Sequence, residues 1–417
     1  MENYGLIGEN IKYSFSKIIH EQISDYKYDL ISLSNENFDK FMKEHNFKAI
    51  NVTIPYKQKV LPYIDKIDQH AKNIGSVNTI INKNNKLYGY NTDFYGFLYQ
   101  IKKNNIEIKG KKILVLGNGG AAKSVIAVLK YLEANEIYIV YYKKNKNTIS
   151  YKECYENHTD SDILINTTPV GMFSKNNTSP INIYKFKKLK VVIDLIYNPL
   201  KTKLLIQAEN MKIKTINGIE MLVAQAKYSA EYFLNTKIED KIIEKIVKNI
   251  KFEKSNIVLI GMPSAGKTTI GKLCSIELKK EFIDIDDMIT KKINMPISKY
   301  FETYGEKKFR QLEKKICQDI AFKNNCIIST GGGVIKNYKN IENLKANGII
   351  IFIDRNINNL SIDSSRPLSK NRNSLKLMYK QRLPLYKKYA DIIVYNNNNF
   401  NKCKNNIIKE INRYFEI

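Results

Sequence analysis

GMPSAGKTT, from Gly261 to Thr269, constrains this chain more than any other stretch. It holds the spacing Gly-x-x-x-x-Gly-Lys-Thr, follows the apolar run Ile257–Ile260, and precedes a segment that can be helical. Only between a strand and a helix does such a loop work as a cradle, its successive N–H groups turned toward phosphates. Gly261 and Gly266 let the backbone curl, while Ser264, Ala265 and Thr269 complete the nucleotide-facing turn. Lys267 is expected to reach the β/γ oxygens of a nucleoside triphosphate, and Thr268 to coordinate Mg²⁺. The loop implies an α/β domain, yet it starts only at residue 261. Whatever precedes it needs an explanation of its own.

A chain of 417 residues can bury two or three cores. Its five cysteines are Cys154, Cys274, Cys317, Cys326 and Cys403; none forms a Cys-x-x-Cys pair, and only four histidines accompany them. A disulfide scaffold or a structural zinc site is not expected. The start MENYGLIGEN has no basic stretch leading into an apolar core, and no apolar run approaches membrane-spanning length. A reduced, cytoplasmic protein is the expectation. The formal charge of +27 invites a nucleic-acid reading, but the lysines recur with Asn and Ile in unrelated contexts such as NKNNKLYGY and YNNNNFNK. Compositional bias accounts for them. No nucleic-acid or membrane partner is expected, although the charge can attract anionic ligands.

Short apolar runs alternate with longer polar-faced segments throughout, the rhythm of α/β domains. KAINVTI, KKILVLG, EIYIVYY, DILINTT and KVVIDLI read as strands in the first half, and NIVLIG, EFIDID, NCIISTG and GIIIFID in the second. Residues 236–256 lack Gly and Pro, carry many charges, and read as a helix running into a short connector.

Beyond the phosphate loop, FIDIDDMI carries Asp284 and Asp286. Read as a strand, it points both carboxylates the same way. One can order Mg²⁺, and the other can hold a hydroxyl being phosphorylated. Arg310 falls in a helical segment, Gly331, Gly332 and Gly333 follow a strand, and Arg366 and Arg382 lie further on. A lone arginine is ordinarily a solvated ion-pair partner. Several behind a phosphate loop suggest a carboxylated substrate and charge neutralisation during phosphoryl transfer. Over residues 255–395 the chain closely resembles shikimate kinase, through GMPSAGKTT, FIDIDDMI, FETYGEKKFRQLE, STGGGV, RPLS and RLPLYKKYAD. The resemblance implies Asp284 beside Mg²⁺, Asp286 on the substrate hydroxyls, and Arg310 and Arg382 as a carboxylate clamp. It also implies Gly331–Gly333 as the substrate-facing turn and Arg366 as a lid arginine over ATP. The family usually has a further arginine shortly before RPL, where this chain reads NNLSIDSS.

Upstream, GNGGAAKSV follows the strand KKILV and fits Gly-x-Gly-x-x-Ala through Gly117, Gly119 and Ala122, with Asn118, Gly120 and Ala121 between. A free ribose 2′-OH would call for an acid about 20 residues on. Here Tyr141, Tyr142, Lys143 and Lys144 stand instead, which favours NADP(H). Earlier clusters bring Ser14 and Ser16, then Asn51, Thr53 and Lys57, then Asn78 and Asp93. A Lys–Asp pair is commonly a surface ion pair, but in a cleft beside a nicotinamide it can move a proton at an alcohol oxygen.

These clusters resemble shikimate dehydrogenase over residues 3–236, through YGLIG, YSFSKIIH, INVTIPYKQKV, IGSVNTI, GYNTDFYGF, GNGGAAKSV, INTTPVGM, DLIYNPLKTKLL and NGIEMLVAQA. By that resemblance Ser14, Ser16, Asn51, Thr53, Asn78, Asp93 and Gln225 line the shikimate pocket with Lys57 as the catalytic residue, while Thr167 and Met221 lie toward the cofactor. The family's His-Ser-x-Ser-Pro is Tyr13-Ser14-Phe15-Ser16-Lys17 here, and its Asn-Arg-Thr aligns on Tyr141-Tyr142-Lys143. The implied fold is a two-lobed dehydrogenase with a Rossmann lobe, then a P-loop α/β kinase domain of the nucleoside-monophosphate-kinase type. Expected boundaries are a substrate lobe at 1–98, a Rossmann lobe at 99–215, a returning helix at 216–240, a linker at 241–254 and the kinase domain at 255–417. The implied function is bifunctional: NADPH reduces 3-dehydroshikimate to shikimate, and Mg-ATP then phosphorylates shikimate. A quinate/shikimate-type dehydrogenase joined to a kinase for a related polyol acid is the alternative. Oligomeric state stays open.

Overall fold

The computed structural model describes residues 3–12, 14–143, 145–172, 178–361, 371–396 and 399–417. The chain divides into two compact units, Met1–Tyr197 with Gln207–Val247, and Asn198–Ile206 with Lys248–Ile417.

The first unit contains two sheets. One is mixed, built from β1 (Tyr4–Gly8), β2 (Tyr28–Ser32), β3 (Ala49–Val52), β4 (Lys66–Ile67), β5 (Thr79–Lys83) and β6 (Lys86–Tyr90), in the order β2-β1-β3-β5-β6-β4. Parallel pairing of β1 with β2 and β3 gives way to antiparallel pairing of β5 with β3 and β6. The other sheet is wholly parallel: β7 (Lys112–Leu116), β8 (Glu136–Val140), β9 (Ile163–Asn166), β10 (Val191–Asp194) and β11 (Lys214–Asn217), in the order β11-β10-β9-β7-β8. Covered on both faces, such strands read as continuous apolar runs rather than alternations. KILVL in β7 buries all but its lysine, and ILIN and VVID in β9 and β10 are buried throughout.

The helix Ile219–Leu234 packs against the helices Ser16–Ile23 and Thr92–Lys103. Closest approach to the second of these needs Gly96, where a Cβ would stand 2.7 Å from the Met221 carbonyl. The helix therefore ties the substrate lobe to the element leading into the Rossmann sheet.

The second unit is built on a parallel sheet of β12 (Asn256–Ile260), β13 (Glu281–Asp284), β14 (Cys326–Ser329), β15 (Gly348–Asp354) and β16 (Ile392–Tyr395), ordered β13-β14-β12-β15-β16. Its core joins β12, β14 and β15 to Ile270, Ile316, Leu375 and Ile407 from surrounding helices. The stretch expected as a linker, 241–254, is a helix over its whole length, Lys241–Lys254, and β12 begins at Asn256. With no Gly or Pro inside it, nothing interrupts the helical hydrogen bonds.

Candidate active sites

In the first unit, Asn91 caps the helix Thr92–Lys103 by accepting from Phe94 N–H, which sets Asp93 in its first turn. The Asp93 carboxylate is buried and held on both oxygens: Oδ2 accepts from Lys57 Nζ at 2.5 Å, and Oδ1 from Asn78 Nδ2 at 2.9 Å. Asn78 Nδ2 also lies 3.5 Å from Gln225 Oε1, so residues from β3's following turn, the β5 edge and two helices converge. The Lys57 stem lies against the glycine turn after β7, where a Cβ on Gly120 would be 3.4 Å from Lys57 Cδ.

That turn has the geometry a dinucleotide requires. Gly117 has φ +106°, and a Cβ there would stand 2.6 Å from Thr167 Oγ1. Gly119 precedes the helix Gly120–Tyr131, and no atom lies within 4 Å of where its Cβ would be, leaving room above the helix N-terminus for a phosphate. Thr167 Oγ1 donates to Leu116 O at 2.7 Å, Asn118 is half-buried, Ala122 is buried beneath, and Ala121 is half-buried. Met221 is 7% exposed and belongs to the Rossmann-lobe core. At the end of β8, Lys143 Nζ sits 5.6 Å from the Tyr142 ring centroid, and Tyr142 is 72% exposed. Lys144 lies outside the described residues.

Ser14 Oγ donates to Ser16 Oγ at 3.0 Å, so the two hydroxyls do share one place, and half-buried Tyr197 packs its ring on Phe15 between them, centroids 5.1 Å apart. Tyr197 was not singled out from sequence, although DLIYNPLKT contains it. Thr53 is half-buried just past β3. Asn51 is heavily hydrogen-bonded within the fold. Its oxygen accepts from Tyr28 Oη at 2.7 Å, and its Nδ2 donates to Ser229 Oγ at 2.7 Å, with Thr79 Oγ1 and the Asn78 carbonyl at 3.1 and 3.2 Å. With its NH₂ engaged and 4% exposure, Asn51 is fixed in place by the fold around it. Tyr28 in turn stacks on His20, ring centroids 4.0 Å apart. Burial lowers the His20 pKa to about 3.

In the second unit, the glycine loop leaves β12 with Gly261 at φ +150° and enters the helix Lys267–Leu278 through Gly266 at φ +95°. Ala265 is fully buried under the loop. Lys267 Nζ donates to the Gly261 and Met262 carbonyls at 3.0 and 2.9 Å. Thr268 Oγ1 donates to Asp284 Oδ2 at 2.8 Å, with Ser329 Oγ at 3.3 Å. A cavity of about 760 Å³ brings Ser264, Gly266, Lys267, Thr268 and Thr269 together with Asp284, Asp286, Arg310, the glycines 331–333 and Arg382. Arg366 lies outside the described residues.

Asp284 and Asp286 share this cavity for a reason other than strand alternation. β13 stops at Asp284, whose Oδ1 accepts from Asp286 N–H at 2.9 Å and caps the helix Ile285–Ile293. Asp286 is thus a first-turn helix residue, and capping overrides the alternating pattern. Around it the glycine turn comes close: a Cβ on Gly331 would meet Asp286 Oδ1 at 2.8 Å, and one on Gly333 would meet Arg310 Nη2 at 2.2 Å. Arg382 Nη1 donates to the Gly332 carbonyl at 2.8 Å. Glu313, one turn beyond Arg310, escaped the sequence reading. It is fully buried, accepts from Arg310 Nη1 at 2.9 and 3.0 Å, and burial raises its pKa. Its i,i+3 spacing in FRQLE was the available signal.

Among the described residues, no cluster of three or more His, Cys, Asp or Glu side chains could cage a metal, and no helix is long and apolar enough to cross a membrane. The Thr268 and Asp284 oxygens nevertheless suit Mg²⁺, which commonly takes one or two protein ligands and completes its shell with phosphates and water.

A family model for shikimate kinase matches residues 263–412, and one for the shikimate dehydrogenase substrate binding domain matches residues 6–80. The chain is 42% identical over 259 residues to the shikimate dehydrogenase (NADP(+)) of Clostridium beijerinckii, covering 58% of this chain and 96% of that protein. Shikimate dehydrogenase 1 from Peptoclostridium difficile superposes with a TM-score of 0.57 at 35% identity, covering 60% of this chain and 98% of that one. A chorismate mutase/shikimate 5-dehydrogenase fusion protein from Clostridium acetobutylicum gives 0.57 at 35%, covering 60% and 97%.

Proposed function

We propose a two-step function for this chain, which belongs to the shikimate dehydrogenase family and continues into a shikimate kinase domain: reduction of 3-dehydroshikimate to shikimate, then phosphorylation of shikimate. The observation that carries the first step is the Lys57–Asp93 pair lying against the glycine turn at Gly120. NADPH, when bound on that turn, supplies the hydride. Lys57 gives a proton to the carbonyl oxygen as the carbon is reduced, and is reprotonated from solvent. Asp93, itself held by Asn78, keeps the Lys57 ammonium in place, and Ser14, Ser16, Thr53 and Gln225 orient the ring. Lys143 and Lys144 favour the 2′-phosphate, since no acid stands at Tyr141–Lys143 to prefer a free ribose hydroxyl.

In the second step the loop N–H groups and Lys267 hold the triphosphate. Asp286 accepts the proton of the shikimate hydroxyl as its oxygen bonds to the γ-phosphorus and the bond to ADP breaks. Arg310 and Arg382 hold the substrate carboxylate. Thr268 and Asp284 would hold Mg²⁺, which supplies charge neutralisation on the phosphates. We place the enzyme in the cytoplasm, a reading supported by five buried, unpaired cysteines.

Two variants test this assignment on one preparation. Lys57→Ala should lower the reductase kcat by ~10²–10⁴-fold and leave phosphorylation of supplied shikimate intact; Lys267→Ala should do the reverse. A parallel fall of both activities in either variant would sink the division of labour.

A further inference from the structure

Four carbonyl groups of the second unit's phosphate loop are held by side chains, two by the loop's own lysine and two by residues far along the chain. Lys267 Nζ takes those of Gly261 and Met262, and Asn396 Nδ2 takes that of Ala265 at 2.9 Å. The Ser264 carbonyl is taken by Arg355 Nη1, also at 2.9 Å. Ser264 is the loop's non-glycine left-handed residue, φ +62°, a conformation that residues other than glycine adopt at a cost and keep only where their surroundings hold them. Arg355 follows directly on β15, the neighbour of β12 in the sheet, so strand pairing places it at the end from which the loop springs. It lines the same cavity as Lys267 and Thr268.

We propose that Arg355 is a positioning residue for the nucleotide of the kinase unit: by holding the Ser264 carbonyl it keeps the loop in its left-handed turn and its N–H groups aimed at the phosphates. The chemistry follows from peptide geometry. When a carbonyl swings toward the cradle, its N–H partner swings away, and the cradle exchanges a donor for an acceptor that repels phosphate. Arginine suits the task because its planar fork reaches the loop with one N–H while its charge remains in the cavity. Nothing in the phosphate-loop spacing points to residue 355, which is 91 positions from Ser264. Only the sheet order makes it a neighbour.

The inference rests on the kinase reading, and the test separates the two. ADP binding to the full chain is measured by calorimetry, beside the KM values for ATP and shikimate. Arg355→Ala should weaken ADP and raise the KM for ATP about tenfold, the effect of losing one charge-assisted hydrogen bond. The KM for shikimate should not move. Adding Ser264→Gly to Arg355→Ala should recover at least threefold of the loss, because glycine occupies the left-handed region without strain. An alanine variant that binds ADP as the parent does overturns the proposal. So does a loss that Ser264→Gly fails to recover, which would make Arg355 a simple charge contact. Should the alanine variant not fold, Arg355→Lys reads the same quantity, with about threefold weakening expected and parental affinity overturning the proposal. A parent that binds no ADP sinks the kinase reading itself.

Discussion

Glu313→Gln isolates what a buried carboxylate does for the substrate clamp. Glu313 is fully buried, and Arg310 Nη1 reaches both of its oxygens, at 2.9 and 3.0 Å. Glutamine keeps the shape and one acceptor but removes the charge. A hydrogen bond to a charged group contributes about 1.5–3 kcal/mol, and Arg310 retains a second anchor in Glu306, 3.2 Å from its Nε. The lower end of that range is therefore expected, about a tenfold rise in the KM for shikimate. Initial rates of phosphorylation with saturating ATP read this directly. The KM for ATP and the reductase rate should stay put, because neither site contains Arg310. Burial raises the pKa of Glu313 while Arg310 opposes the shift. Acidification should thus protonate Glu313 and mimic the variant: the parent's KM for shikimate rises as pH falls, and the variant's changes less. An unchanged KM in Glu313→Gln would refute the idea that Glu313 aims Arg310.

Replacing both Lys143 and Lys144 with Ala should raise the KM for NADPH while NADH kinetics hardly change, since exposed cations act weakly alone and matter mainly to the extra phosphate; an NADPH/NADH preference equal to the parent's would place that phosphate elsewhere. His20 predicts acid sensitivity of the dehydrogenase unit. Its folded pKa, about 3, lies below the unfolded 6.5, so stability is intact above pH 6.5 and is lost as pH falls toward 3, by about 2 kcal/mol at pH 5. Urea midpoints for reductase inactivation at pH 7.5 and 5.0 should differ more in the parent than in His20→Phe, which keeps the stack on Tyr28; equal differences would contradict this.

How much of this was legible in the sequence depends on what each residue answers to. Parallel strands buried on both faces announce themselves as apolar runs, and NIVLI, KILVL and GIIIFID lie where the pattern put them. Asp286 was misplaced because FIDID alternates like a strand, whereas a side-chain cap at Asp284 ends the strand two residues early. Asn51 reads from its motif as a ligand-facing amide, and nothing local announces its partners Tyr28, Asn78, Thr79 and Ser229, which come from three separate places in the chain. Glu313 and Arg355 are ordinary charged residues until the fold brings Arg310 and the Ser264 carbonyl to them. Local spacing carries motifs. It does not carry the long-range contacts that hold them in shape.

The central claim, that one chain makes shikimate and then consumes it, is tested by a single incubation of the purified protein with 3-dehydroshikimate, NADPH and Mg-ATP, with both ring products quantified over time. The account predicts shikimate 3-phosphate accumulating in step with NADPH oxidation, accumulation stopping at shikimate when ATP is omitted, and neither product when NADPH is omitted. NADPH oxidation that yields shikimate but no phosphate ester with ATP present, or phosphorylation of supplied shikimate by a protein that cannot reduce 3-dehydroshikimate, would contradict it.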